Sequence, residues 1–477
     1  MQRGLKRTQR LCAMPTMTVM KASYEISPLD GRYKARLEHL SDYFSEYALM
    51  RSRCEVELRY VLALDETGLF TALTDGEKAS IQAALNEFSE SDYQRIKAIE
   101  ASVRHDIKAC EIFLREKVQL ADKNLLHFAL TSEDVNNLAY SLLWKAYIEH
   151  IHLPLLERLI AVLCELAERW KNIPFPCRTH GQKASPSTAG KEIAVSINRV
   201  LRQYQKLKCL KFAGKLNGAV GNFSAMLAAF PDYDWMAFSY AFVEGLGLVR
   251  NIATTQIEDH DSWADYFNIS RQINNILLDL NQDVWSYISR DLFHEESNAA
   301  EVGSSTMPHK VNPINFENSE GNLLLANSLF SMLADKLCRS RMQRDLSDST
   351  VKRNIGVALA HSYLAYTETM QGLHRIQINE EVCLRDLDNS PELLAEAIQT
   401  ILKTAGIEDP YSLLKHVTRG KAISQQDLIQ FIDALKLDDA VKARLRNLQV
   451  SSYIGDARRI CENVVEAARN AIEHGAG

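Results

Sequence analysis

Apolar positions in the middle of the chain recur every three or four residues. In 153–170 they are Leu156, Leu159, Leu163, Leu166 and Trp170. In 193–210 they are Ile193, Ile197, Val200, Tyr204 and Leu207, and in 273–288 Ile273, Leu277, Leu280, Val284 and Ile288. That spacing lays one apolar stripe along one face of a helix. The striped helices lie close in sequence, which predicts an all-α fold built on a bundle of long antiparallel helices. Further apolar positions such as Leu278 and Trp285 predict burial on more than one face. After Ile378 the periods shorten and acid-rich turns such as "IEDP" (407–410) intervene. The expected organisation is a tail at 1–23, an N-terminal helical domain at 24–120, a central bundle at 121–373 and a C-terminal helical domain at 374–477.

Composition sharpens this picture. The chain has 477 residues, 46% of them hydrophobic, with only 20 glycines and 11 prolines. Glycine and proline together make up about 12% of an average protein, so turns are few and long helices are favoured. The net charge is -6. Residues 1–21 hold Arg3, Lys6, Arg7, Arg10 and Lys21 and no acid, so the body is more acidic still. Such a body excludes a general nucleic-acid or acidic-membrane binder, and an anionic ligand would need a local basic pocket. The basic tail reads as disordered or as a mis-assigned start, with Met17 and Met20 nearby; a transit peptide is the alternative. Nine scattered cysteines without a CxxC pair point to reduced thiols in a cytoplasmic protein. No run of about 18 apolar residues is present. His and Cys spacings suggest no metal site, and no phosphate-binding glycine loop occurs.

Six stretches hold more chemistry than connection requires. "GSSTMPHKVNP" (303–313) ends in Asn312-Pro313, a helix-start signal with Asn as cap and Pro at the first turn. A helix dipole, free N–H groups and Lys310 would make an anion site beside Ser304 and Ser305. An N-capped surface loop is the plainer reading. In "RTHGQKASPST" (178–188), His180, followed by the turn-forming Gly181, precedes a helix expected to open near Ser185-Pro186; it is a proton carrier, or a capping or core histidine. "SVRHDIKACE" sets Arg104, His105 and Asp106 side by side. "LTSED" holds Thr131, Ser132 and Glu133, and reads equally well as a capping box. "TTQIEDHD" carries Gln256. "SRMQRDLSDSTVKRN" carries Arg341, Arg344, Arg353 and the Ser349-Thr350 pair, where arginines grip carboxylate or phosphate or simply face solvent.

Taken together and in order, these stretches resemble a known family. "GSSTMPHKVNP" is similar to the signature of the fumarase/aspartase superfamily. "SPLDGRY", "RHDIKA", "LTSEDVNNLA", "RTHGQ", "TTQIEDHD" and "RDLSDSTVKRN" resemble the bacterial adenylosuccinate lyase family within it, over residues 24–470. The resemblance implies a three-domain all-helical subunit, a homotetramer with a twenty-helix core and active sites shared among three subunits. It implies β-elimination of fumarate from adenylosuccinate and from the succinylated ribotide SAICAR, with no cofactor and no metal.

The resemblance also implies roles. Ser304 would be the base, His180 the acid and Glu317 the carboxylate that orients a histidine. Substrate binding would fall to Arg32, Tyr33, Arg104, His105, Asp106, Thr131, Ser132, Gln256, Ser305, Lys310, Val311, Asn312, Asn318, Arg344, Ser349, Thr350 and Arg353. A serine base needs its alkoxide stabilised, and Lys310 with the helix-end N–H groups could do this. The loop would then act as a mobile lid. Two positions depart from the nearest pattern: Arg104 stands where relatives often have asparagine, and Lys183 where a proline is common. The rivals are a sister lyase (argininosuccinate lyase, fumarase or aspartase) and a non-catalytic helical scaffold.

Overall fold

The computed structural model describes residues 25–296, 307, 310–418 and 424–473. Its long helices are α1 (Glu46–Glu66), α2 (Asp106–Lys117), α3 (Ser132–Tyr147), α4 (Leu153–Trp170), α5 (Ala189–Cys209), α6 (Asp261–Ile288), α7 (Ile314–Leu337), α8 (Ile355–Arg375) and α9 (Ala457–Glu473). Strands among the described residues are two- or three-residue ladders at the helix ends. The fold is all-α, as the periodicity predicts.

The three stripes face the core. Leu156, Leu159 and Leu163 on α4, Ile197 and Val200 on α5, and Ile273 and Leu277 on α6 are fully buried. Helix α7 packs along α6 and α8, and α4 packs along α5. Gly190 allows the α4–α5 approach, because a Cβ there would collide with the Ala167 carbonyl oxygen. Polar layers fix the register of the α6–α7–α8 bundle. Asn274 donates to Asn327 and Ser362, and Tyr366 donates to Asn274; Asn281 donates to Ser319 and Thr369. A shift along the bundle would leave these buried groups unpaired.

One hydrophobic cluster runs from Leu29 to Ala468 and takes in α9, whose buried residues are Ala457, Cys461, Val465 and Ala468. Helix α9 lies on α4 and α5. A second, separate core joins Leu387, Ile398, Leu402, Leu414, Ile432, Leu445 and Val450. The small C-terminal unit therefore lies between α8 and a last helix that returns to the bundle.

Two helix starts differ from expectation. Helix α5 opens at Ala189, not near Ser185-Pro186. Residues Ser187-Thr188 first pair with Pro174-Phe175, and only then does Thr188 cap the helix by accepting from the Lys191 N–H at 3.2 Å. Helix α7 opens at Ile314 with Pro313 at the cap position, so Asn312 stands one residue outside it.

Candidate active site

The "RHD" stretch is a corner between two helices. Arg104 ends the helix Glu90–Val103 in left-handed backbone, φ 55°. His105 then caps α2, its Nδ1 accepting from the Lys108 N–H at 3.2 Å. Asp106, at the first turn of α2, meets the Arg53 guanidinium at 2.8 Å. Arg53 is only 4% exposed and also donates to Asn136 at 2.9 Å. Burial opposes the ionisation of Asp106, but Arg53's charge and the Ile107 N–H outweigh it, and the carboxyl titrates below its usual value.

The "TSED" stretch opens α3, with the Asp134 carboxylate accepting from the Thr131 N–H at 2.9 Å. The capping reading of this stretch is correct, and it does not exhaust the site. Glu133 is buried and holds Arg344 at 3.1 Å and Lys352 at 3.5 Å, while accepting from Asn136 at 2.9 Å. Lys352 also pairs with buried Asp348 at 2.8 Å. Burial works against the charge of Lys352, yet the two carboxylates hold its pKa above the ordinary value. Glu133 thus ties "TSED" to "RDLSDSTVKRN", more than 200 residues later in the chain.

Beside this knot lies a cavity of about 300 Å³. Arg53, Asp106, Tyr140, Trp144, Lys352 and Arg353 are in its wall. Arg53 and Lys352 are neutralised by carboxylates. Arg353 is exposed and, among the described residues, has no carboxylate partner; its guanidinium bonds only the carbonyl and hydroxyl oxygens of Ser349, at 3.3 and 3.0 Å. Arg353 also lines a neighbouring cleft with Ser27, Leu29 and Asp30, which brings the "SPLDGRY" turn to the same place. In that turn Arg32 is exposed and stands 5.9 Å from the half-buried Tyr33 ring. Ser349 is half-buried and Thr350 exposed on the short helix Ser347–Lys352.

Gln256 sits half-buried in the loop before α6. Its carbonyl accepts from Lys215 at 2.7 Å, and the fully buried Lys215 ammonium lies 3.2 Å from Asp134. Two further groups of "TTQIEDHD" are buried. Glu258 is pushed up to about 7 by burial and by Asp259. His260 falls well below its usual value through burial and the charges of Lys352 and Arg344, which keeps it neutral.

His180 lies elsewhere, at the tip of a two-residue hairpin. Arg178-Thr179 pair with Gln182-Lys183, and His180 and Gly181 between them both have positive φ, 54° and 72°. That is a type I′ turn, in which a histidine is strained where glycine is not. The imidazole is exposed and has no hydrogen-bond or ion-pair partner among the described residues. Positive φ also occurs at Arg104, at Ala129 just before Thr131, and at Met342 just before Arg344. Non-glycine strain of this kind collects at functional sites.

On α7, Glu317 is exposed and accepts from the Trp285 indole at 3.1 Å, not from a histidine. Asn318 is half-buried and accepts from the Asn322 amide at 2.8 Å. Lys310 and Val311 are exposed and Asn312 half-buried at the start of this segment. Ser304 and Ser305, and with them most of the expected lid, lie outside the described residues. The cavity wall therefore unites "RHD" with the end of "RDLSDSTVKRN", and the Glu133 knot adds "TSED". His180, Gln256, Lys310 and Glu317 are not part of that wall. Sequence reasoning passed over Arg53, Glu133 as an ion-pair hub, Lys215 and Lys352. The signal for Arg53 was available: Met50, Arg53, Cys54, Glu57 and Val61 fall on one buried helical stripe that includes two charges.

Comparison with known proteins decides the family. A model of the lyase family matches residues 31–326, and a model of the adenylosuccinate lyase C-terminal region matches residues 340–454. The adenylosuccinate lyase of Escherichia coli K12 is 46% identical over 443 residues, covering 91% of this chain and 96% of that protein. Those of Haemophilus influenzae and Vibrio cholerae are each 44% identical, covering 92% and 93% of this chain and 98% and 100% of theirs. The chain belongs to the adenylosuccinate lyase family. It is accordingly a lyase, and the scaffold reading is set aside. Among solved structures, a fumarate lyase from Mesorhizobium sp. BNC1 superposes with a TM-score of 0.74 at 18% identity, covering 90% of this chain and 97% of that one. The 3-carboxy-cis,cis-muconate lactonizing enzyme of Pseudomonas putida gives 0.73 at 19%, covering 91% and 97%. At such identities these two establish the fold alone, which adenylosuccinate lyase family members share with their wider superfamily.

Proposed function

We propose that the chain cleaves adenylosuccinate to AMP and SAICAR to its free carboxamide, releasing fumarate each time, in the cytoplasm. Ser304 takes the carbon-bound proton next to a carboxylate. The electron pair forms the C=C bond of fumarate as the C–N bond breaks. His180 gives its proton to the departing nitrogen. Glu317 orients a histidine of the site. No metal or cofactor enters these steps.

One observation in the site supports the reading beyond family membership. Arg353 faces the cavity as an exposed cation without a carboxylate partner among the described residues, while its buried neighbours Arg53 and Lys352 are neutralised. A phosphate or carboxylate of the substrate completes that arrangement. The family resemblance gives the phosphate and succinyl carboxylates to Arg353 together with Arg32, Tyr33, Arg104, His105, Asp106, Thr131, Ser132, Gln256, Ser305, Lys310, Val311, Asn312, Asn318, Arg344, Ser349 and Thr350.

The acid and the cation cavity occupy separate places on one subunit, so the working site is assembled from several. The outer face of α7 supports this, with Ile314, Leu324, Leu325 and Met332 exposed along one stripe and Trp285 exposed on α6. We assign these faces to the core of a homotetramer.

An ultraviolet assay of adenylosuccinate cleavage on wild type and Ser304→Ala tests the proposal. Turnover in the wild type that is lost in the variant, with substrate binding kept, is the expected result. No turnover on either substrate by the folded protein would redirect the search to sister-lyase substrates. Turnover that survives in the variant would remove Ser304 as base.

A further inference from the structure

A second basic pocket lies behind the His180 hairpin, where it meets the C-terminal unit. Its volume is about 240 Å³, and its walls are Arg178, Lys183, Arg290, Leu292, Val382, Arg385, Asp386 and Asn389. Four cations thus face one carboxylate, in a chain whose net charge is -6. Asp386 is shared by two of them, Arg178 at 3.1 Å and Lys183 at 2.5 Å. Lys183 also donates to Ser390 at 2.6 Å. Arg385 has only the distant Glu381 at 4.0 Å, and Arg290 has no carboxylate partner among the described residues. The Nε of Arg178 is buried without a hydrogen-bond partner. Like charges converging on one small space, with donors left over, are unfavourable unless an anion joins them.

We propose that this pocket binds a free dianion of phosphate size. Guanidinium donors match a tetrahedral oxyanion bidentately, and four cations around one carboxylate suit a compact dianion. Leu292 and Val382 add apolar lining beside these charges. Lys183, singled out in the sequence only as a departure from a common proline, supplies one of the four cations. Because Arg178 and Lys183 flank the turn that holds His180, the bound anion and Asp386 share the two residues that anchor this hairpin.

The test is a calorimetric titration of inorganic phosphate into the full-length protein, at constant ionic strength set with chloride. Three proteins are compared: wild type, the Arg290→Ala/Arg385→Ala double variant and Arg353→Ala. Arg290 and Arg385 are surface residues, and circular dichroism checks that the double variant is folded. The expected result is a saturable site in the wild type, weakened at least tenfold in the double variant and kept in Arg353→Ala. Hydrogen exchange at residues 178–183 should change with phosphate in the wild type and not in the double variant. Binding kept in the double variant and lost in Arg353→Ala would place phosphate in the substrate cavity only and overturn the proposal. Absence of saturable binding to the wild type would overturn it as well.

Discussion

The Glu133 knot and the His180 hairpin are built by opposite means. Around Glu133 the charges are buried, paired and cross-linked by helices far apart in the chain. Around His180 the backbone is strained, the side chain is exposed, and the anchoring pairs at Arg178, Lys183 and Asp386 are partly solvated. The first region holds its donors in place without a ligand, as recognition of a charged group requires. The second leaves the His180 imidazole accessible, as the acid role proposed for it requires. One region holds its charges by burial and pairing, and the other presents a side chain to solvent.

The comparison can be broken from either side. Replacing His180 by Gln should lower turnover by roughly 10²–10⁴-fold, the range for a general acid. Thermal stability should stay within a degree or two, because the ring is exposed and has no hydrogen-bond or ion-pair partner among the described residues. A melting scan beside the kinetic assay checks both halves. Glu133→Gln should behave in the opposite way. Arg344 would lose its carboxylate and Lys352 one of its two, leaving Asp348, at a cost of about 3–5 kcal/mol. Denaturant titration should show that loss directly, and activity should fall with the folded fraction.

Asp106→Asn is expected to be milder, about 2–3 kcal/mol, since Asp106 is partly solvated while Arg53 is not. Its pH dependence carries a sign. The folded carboxyl titrates below its usual value, so the wild type gains stability above the unfolded pKa and loses it as pH falls through the folded one. The stability gap between wild type and variant should therefore be full at neutral pH and close in acid below about pH 4. A gap of constant size across that range would show that the Arg53 pair is not its source. Asp386→Asn should have the smallest effect, about 0.5–1 kcal/mol of stability. It should lower kcat a few-fold with little change in KM, because it loosens the hairpin and leaves the cation cavity intact.

Much of this was legible in the sequence. The stripes of Leu156–Trp170 and Ile193–Leu207 mark buried helix faces because a period near 3.6 admits no other regular structure. The motifs marked "RHD" and the Arg344–Arg353 stretch, which the fold does bring around one cavity. What was not legible came from long-range pairing. Arg53 and Lys352 looked like ordinary helix charges, and only their burial beside Asp106 and Glu133 gives them a purpose. The start of α5 was misplaced because Ser187-Thr188 are claimed first by a strand partner at Pro174-Phe175, a tertiary preference that local cap signals do not contain. Gly181 marks a turn in the sequence, but Arg178-Thr179 and Gln182-Lys183 carry no alternating strand pattern, so the hairpin itself is not legible there.

The central claim is that the acid hairpin and the cation cavity act together only across subunits. The most direct measurement mixes two inactive variants, His180→Gln and Arg353→Ala, after dissociation and reassembly, and assays adenylosuccinate cleavage. The account predicts that activity returns in the mixture, because some assembled sites receive an intact hairpin from one subunit and an intact cavity from another. A mixture of folded, demonstrably exchanged subunits that stays as inactive as its parents would contradict it.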